Sequence, residues 1–158
     1  MFNFNQTTNP ILDAIEKIYD TTKDSALSET VLEKCSDVIK ILSAFLECTE
    51  EQAVIMAILI QGNLENNTVS IKGVLDHTDL KTSSALYINK ILIPLVEKEW
   101  ITPKKDAKLY PLTDYMISTR LIRSVLNGKL DMTPNVKIEN SFHLITQFQV
   151  KLSERNGR

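Results

Sequence analysis

The residues able to do chemistry are few in this chain. There are two histidines, His77 and His143. His77 stands in the segment DHTD, with Asp76 and Asp79 beside it. A metal centre needs more ligands than this at helical spacing, so the plainer reading is a surface histidine among the acids of a helix end. The two cysteines, Cys35 and Cys48, fit no metal-ligand spacing and have no histidine near in sequence. They read as reduced, partly buried thiols in helical segments. No serine lies in a GxSxG elbow. Glu50 and Glu51 belong at a helix N-terminus, where acids stabilise the dipole. The four glycines are isolated and no GxxxxGKS/T segment occurs, so no phosphate cradle can be built. No catalytic residue, metal or cofactor is therefore expected, and binding is the remaining class of function.

Two sets of side chains could bind. Ser83, Tyr87 and Lys90 share one arc of a predicted helix, and Lys104, Lys105 and Lys108 follow in a short basic loop and its return. Arg120 and Arg123 extend the same basic stretch. Hydroxyls and lysines hold phosphates, whereas base reading recruits Arg, Asn or Gln. The arc has no arginine, and Asn89 lies toward the buried flank, so duplex DNA would be held mainly by its phosphates. The second set is apolar. Leu86 and Ile93 lie near the exposed arc, and Phe142, Ile145, Phe148 and Leu152 form a stripe near the C-terminus. Uncovered apolar stripes mark partner surfaces, a second copy of the chain included.

The element that presents the first set is residues 82–101, TSSALYINKILIPLVEKEWI. At helical spacing Ala85, Ile88, Leu92, Leu95 and Val96 share one arc, with Ile91 at its edge. Ser83, Tyr87, Lys90, Pro94 and Glu97 fall opposite. Pro94 removes a backbone donor and is expected to kink the helix. Glu99 then stands where such a turn often has glycine. A strand from Trp100, a basic loop PKKDA and a returning KLYPL follow.

Upstream, Asn9-Pro10 starts a helix that the polar run DTTKDSA ends after about Tyr19. Ser28 caps a second helix reaching to near Glu47. Thr49 and Gln52 match a capping box, and the all-apolar run AVIMAILI after it predicts a central core helix stopped at Gly62. Residues 69–71 are a short strand candidate, and IKGVLDHT is a small helix with Val74 and Leu75 inward. Downstream, Thr113 and Asp114 offer a cap for a helix through Tyr115, Ile117, Leu121, Ile122 and Val125, ended by Asn127-Gly128. A linker and a final helix over 140–155 close the chain. The expected fold is mainly α. It has a winged helix-turn-helix core with a two- to three-stranded sheet, flanked by N-terminal helices and a C-terminal helix. The expected divisions are 1–47, an N-terminal helical pair, 48–128, the winged-helix domain, and 129–158, linker and closing helix.

Length and composition allow this: 158 residues, 43% hydrophobic and 24% charged, are ordinary for one globular domain. No run reaches membrane-spanning length and the N-terminus lacks signal-peptide character, so a cytoplasmic location without membrane contact is expected. The net charge of −2 is uneven. Residues 1–80 carry 5 lysines against 13 acids, and residues 81–158 carry 13 lysines and arginines against 7 acids. A sign split of this kind can mark a nucleic-acid face beside an acidic body, or two halves that complement each other.

The segments KDSALSE, TEEQAVIMAILIQ, LVEKEWI, KLYPLTDYMISTRLI and FHLITQFQVKLSER, taken in this order, resemble the region preceding the ATPase module in a family of bacterial AAA-type ATPases. The resemblance implies an accessory region, with the ATP-binding module lying downstream. Two functions are expected from these readings: a winged helix that binds duplex DNA through phosphates, or a protein-interaction module that binds no nucleic acid.

Overall fold

The computed structural model describes residues 9–66, 70–104 and 114–130. Helix α1 (Pro10–Thr22) begins as its sequence dictates. The Asn9 side-chain oxygen accepts from the backbone N–H of Ile11 and Leu12 at 3.0 and 3.1 Å, and Pro10 fills the first helical position. The helix continues past Tyr19 to Thr22, which is buried with its hydroxyl satisfied by donating to the Ile18 carbonyl at 2.7 Å. Polar residues thus extend the helix where they had been expected to break it.

The single helix expected from Ser28 to Glu47 is two. Helix α2 (Glu29–Lys34) is capped by Ser28 and buries no residue, while α3 (Ser36–Leu46) buries Ile39, Leu42 and Leu46. The break falls at Cys35, whose backbone leaves helical geometry at φ −116°, ψ 20°. It frees α3 to lie on α1 and α4, its two main contacts, without α2 following.

Helix α4 (Glu50–Asn66) is the centre of the fold. The backbone N–H of Thr49 donates to Gln52 Oε1 at 2.9 Å and that of Gln52 to Thr49 Oγ1 at 3.2 Å, a complete capping box. Every residue from Gln52 to Ile60 is buried, with α1, α3, α5 and α6 packed around it. Gly62 does not stop it: glycine inside a helix costs only about 1 kcal/mol, less than the surrounding contacts contribute.

Helix α5 (Ile71–Thr78) is capped by Ser70, whose hydroxyl accepts from the Gly73 N–H at 2.9 Å. Of the strand expected at 69–71, Val69 lies outside the described residues, Ser70 forms an isolated bridge with Asp114, and Ile71 is already helical and buried. Helix α6 (Ser84–Glu97) runs through Pro94 and is followed by β1 (Ile101–Pro103). Strand β2 (Tyr115–Ile117) pairs antiparallel with it in the register Ile101–Ile117, Thr102–Met116, Pro103–Tyr115.

The helix expected from Thr113 or Asp114 through Tyr115 and Ile117 does not begin there. Tyr115 and Ile117 are in a strand, with Tyr115 buried and Met116 exposed, the period of a sheet edge. Helix α7 (Thr119–Asn127) starts later, capped by Ser118 and not by Thr113 or Asp114. The Ser118 hydroxyl accepts from the Leu121 N–H at 3.0 Å. The KLYPL segment with Lys108, the loop lysine Lys105, and the closing segment with Phe142, Ile145, Phe148 and Leu152 lie outside the described residues.

Four helices end in the same left-handed turn. After α3, α5, α6 and α7 the residues with positive φ are Glu47, Asp79, Glu99 and Gly128. In each, the next N–H reaches back to a carbonyl five residues earlier: Cys48 to Ser43, Leu80 to Leu75, Trp100 to Leu95, Lys129 to Ser124. Trp100 and Leu95 are both buried, the apolar contact that accompanies this turn. It carries the chain from α6 directly into β1. The fold is thus mainly helical with a small antiparallel sheet, and one hydrophobic cluster runs from Ile11 in α1 to Val125 in α7.

Candidate functional site

Helix α6 is held from beneath and presents its other side outward. Ala85, Ile88, Leu92 and Leu95 are buried, with Ile91 and Val96 half-buried at the margin, as the helical spacing predicts. From α4, the Gln52 side-chain amide donates to the Ile91 carbonyl at 2.8 Å. From β2, the Tyr115 hydroxyl donates to Asn89 Oδ1 at 2.7 Å, and the Asn89 amide donates to the Ala85 carbonyl at 2.8 Å. Asn89 therefore faces inward and is not a base-reading group.

The outward side carries Ser83, Leu86, Tyr87, Lys90, Ile93, Pro94 and Glu97, all exposed. Leu86 is 56% exposed, Tyr87 54% and Ile93 53%, so the face is apolar at its centre. The Tyr87 hydroxyl donates to the Glu51 carboxylate of α4. That hydrogen bond, with a smaller effect from burial and the charge of Glu51, pushes the tyrosine pKa up. In sequence Glu51 reads only as a helix-dipole acid; its place beside Tyr87 requires the crossing of α4 and α6, which no local pattern encodes.

Among the described residues the cations around this face are dispersed. Lys104 is exposed at the mouth of the hairpin, its backbone N–H bonded to the Asp114 carbonyl at 2.9 Å. The Lys98 ammonium donates to the Glu47 carbonyl. Arg120 does not extend a basic surface: its guanidinium lies 4.6 Å from the Trp100 ring centre and donates to the Lys98 carbonyl at 2.7 Å. This arrangement closes the end of α6 onto α7. Arg123 is exposed on α7.

His77 is not the surface histidine that its acidic neighbours suggest. It is half-buried, and its ring stacks on Tyr19 with centres 4.0 Å apart. Nε2 lies 2.8 Å from the Tyr19 carbonyl, which can only accept, so Nε2 carries a hydrogen. The backbone repeats the connection, with Asp24 N–H on the His77 carbonyl at 2.8 Å and Ala26 N–H on that of Thr78 at 2.6 Å. His77 thus fastens the end of α5 to the end of α1. Burial, then the Glu65 carboxylate, push the Tyr19 pKa up.

Beside the stacked pair is a cavity of about 90 Å³, walled by Ile58, Gly62, Gly73 and Val74. Liquid water occupies roughly 30 Å³ per molecule, so this space suits a few waters and is far below the size of a cofactor pocket. Among the described residues no group of three or more His, Cys, Asp or Glu side chains could hold a metal. Cys35 and Cys48 are free thiols. None of the described helices is long and apolar enough to cross a membrane. No family model matches this chain, and neither the curated proteins nor the solved structures contain a match to it.

Proposed function

We propose that this chain is a non-catalytic protein-interaction module of winged-helix type that docks a partner on the outward face of α6. The observation that carries the reading is the make-up of that face. Leu86, Tyr87 and Ile93 stand exposed together, and the Tyr87 hydroxyl is engaged by an acid. A phosphate approaching Tyr87 meets the Glu51 carboxylate, and Lys90 is the one cation on the exposed arc. Phosphate binding needs several cations acting together. Exposed aromatic and aliphatic side chains with polar neighbours are what protein interfaces use at their centres. An accessory region beside an ATPase module, as the sequence resemblance implies, is a setting in which such a module serves.

One observation favours DNA as a second reading. Helix α5, a turn, α6 and then a hairpin with exposed Lys104 at its mouth follow the order in which winged helices present a recognition helix and a wing. Titration of a fluorescent, arbitrary-sequence duplex separates the two. The docking reading expects no binding at low salt. Binding that weakens steeply with salt, and is lost in a Lys90→Glu, Lys104→Glu variant, would replace it with the DNA reading.

A further inference from the structure

We infer that the partner of the α6 face is a second copy of this chain, paired helix to helix about a two-fold axis; the inference rests on the docking reading above. Lys90 and Glu97 are both exposed, and neither makes an ion pair among the described residues. They lie two helical turns apart, about 10 Å along the axis at 1.5 Å per residue. Ile93 and Pro94 sit between them, also exposed.

This order, cation, apolar pair, anion, is complementary to itself when reversed. If two α6 helices lie antiparallel with the axis between Ile93 and Pro94, Lys90 stands opposite the partner's Glu97, and Glu97 opposite the partner's Lys90. Ile93 meets the partner's Pro94 at the centre. An isologous interface demands such a match of one patch with itself. A parallel alignment would put like charges together. Pro94 suits the central position, because it offers no side-chain polar group that contact would desolvate.

The contact is small, and interfaces below about 1,200 Å² are weak and transient. Self-association should therefore show only at high protein concentration. Sedimentation equilibrium of the full chain, from about 5 to about 500 µM, brackets a weak dissociation constant. The mass should rise from 17.9 kDa toward twice that value. Lys90→Glu alone and Glu97→Lys alone should each hold the protein monomeric, with unchanged circular dichroism. The double swap Lys90→Glu, Glu97→Lys should restore association, since it regenerates the opposite pairs in reverse. A monomer across the whole range overturns the inference. So does association equally strong in both single variants, which would place the contact elsewhere in the chain. Either result, combined with no binding to DNA, leaves the docking reading standing with another partner. DNA binding removes that reading itself.

Discussion

The Tyr115 hydroxyl reaches Asn89 over 2.7 Å, both side chains buried, and this bond joins β2 to α6. It fixes the hairpin against α6, the helix whose outer face we propose as the docking surface. A buried amide is costly unless its polar atoms are bonded, and Asn89 spends its N–H on the Ala85 carbonyl and accepts from Tyr115.

Tyr115→Phe removes the donor and leaves the ring in place. It should cost about 1–2 kcal/mol, the range for losing one hydrogen bond to a buried polar group. Urea unfolding of the variant measures this. A midpoint equal to the parent's would mean that the bond contributes nothing to stability.

Gln52 acts on two elements at once, accepting from Thr49 at the start of α4 and donating to Ile91 on α6. Gln52→Ala should therefore cost more than a lost cap alone, about 2 kcal/mol or above. Gln52→Glu keeps the acceptor for Thr49 but places a second acceptor against the Ile91 carbonyl. It should be destabilising too, and less so at acidic pH, where the carboxyl is neutral and can donate. Thermal melts of both variants at pH 7 and pH 4 check the order.

Helix ends were legible wherever one side chain or one glycine decides them. Asn9-Pro10, Thr49 with Gln52, and Asn127-Gly128 all lie where their residue types predict. The inner arc of α6 was legible because 3.6-residue periodicity is strong there. The break at Cys35 was not, since residues 29–46 keep helical spacing throughout and only contact with α1 and α4 gives a reason to bend. Strand β2 was missed because Thr113-Asp114 imitates a cap, while Ser118 holds the actual one four residues later. On the outward side of α6, the exposure of Leu86, Tyr87 and Ile93 followed from the wheel. The acid beside Tyr87, and the withdrawal of Arg120 onto Trp100, come from helix crossings that sequence spacing does not encode.

Left-handed turns at Glu47 (φ 53°) and Glu99 (φ 61°) put a Cβ where glycine is preferred. Glu47→Gly should stabilise by about 0.5–1 kcal/mol, the strain relieved outweighing glycine's extra chain entropy. The control runs the other way. Gly128→Ala adds a Cβ at φ 66° that would lie 3.3 Å from Asn9 Oδ1, the atom that caps α1, and should lower the melting temperature. If the Glu47→Gly variant melts below the parent, the turn is held by the glutamate side chain and not merely tolerated.

Cys48 offers a test through its proton. Burial pushes its thiol from the ordinary 9.0 up to about 11, the nearby Lys98 charge offsetting only part of the effect. Below pH 9 the thiol is protonated in both folded and unfolded chains, so it adds no pH dependence. Between pH 9 and about 11 the unfolded chain loses the proton first, and stability falls as pH rises. Cys48→Ala should therefore flatten the parent's decline in stability over that window. Lysines and tyrosines that also titrate there are common to both proteins and drop out of the difference. In the folded protein the same shift lowers the thiolate fraction at pH 8, so iodoacetamide should modify Cys48 roughly a hundredfold more slowly than a free cysteine. Mass spectrometry of the alkylated peptide reads this directly. Modification as fast as free cysteine under native conditions would show that the end of α3 opens readily.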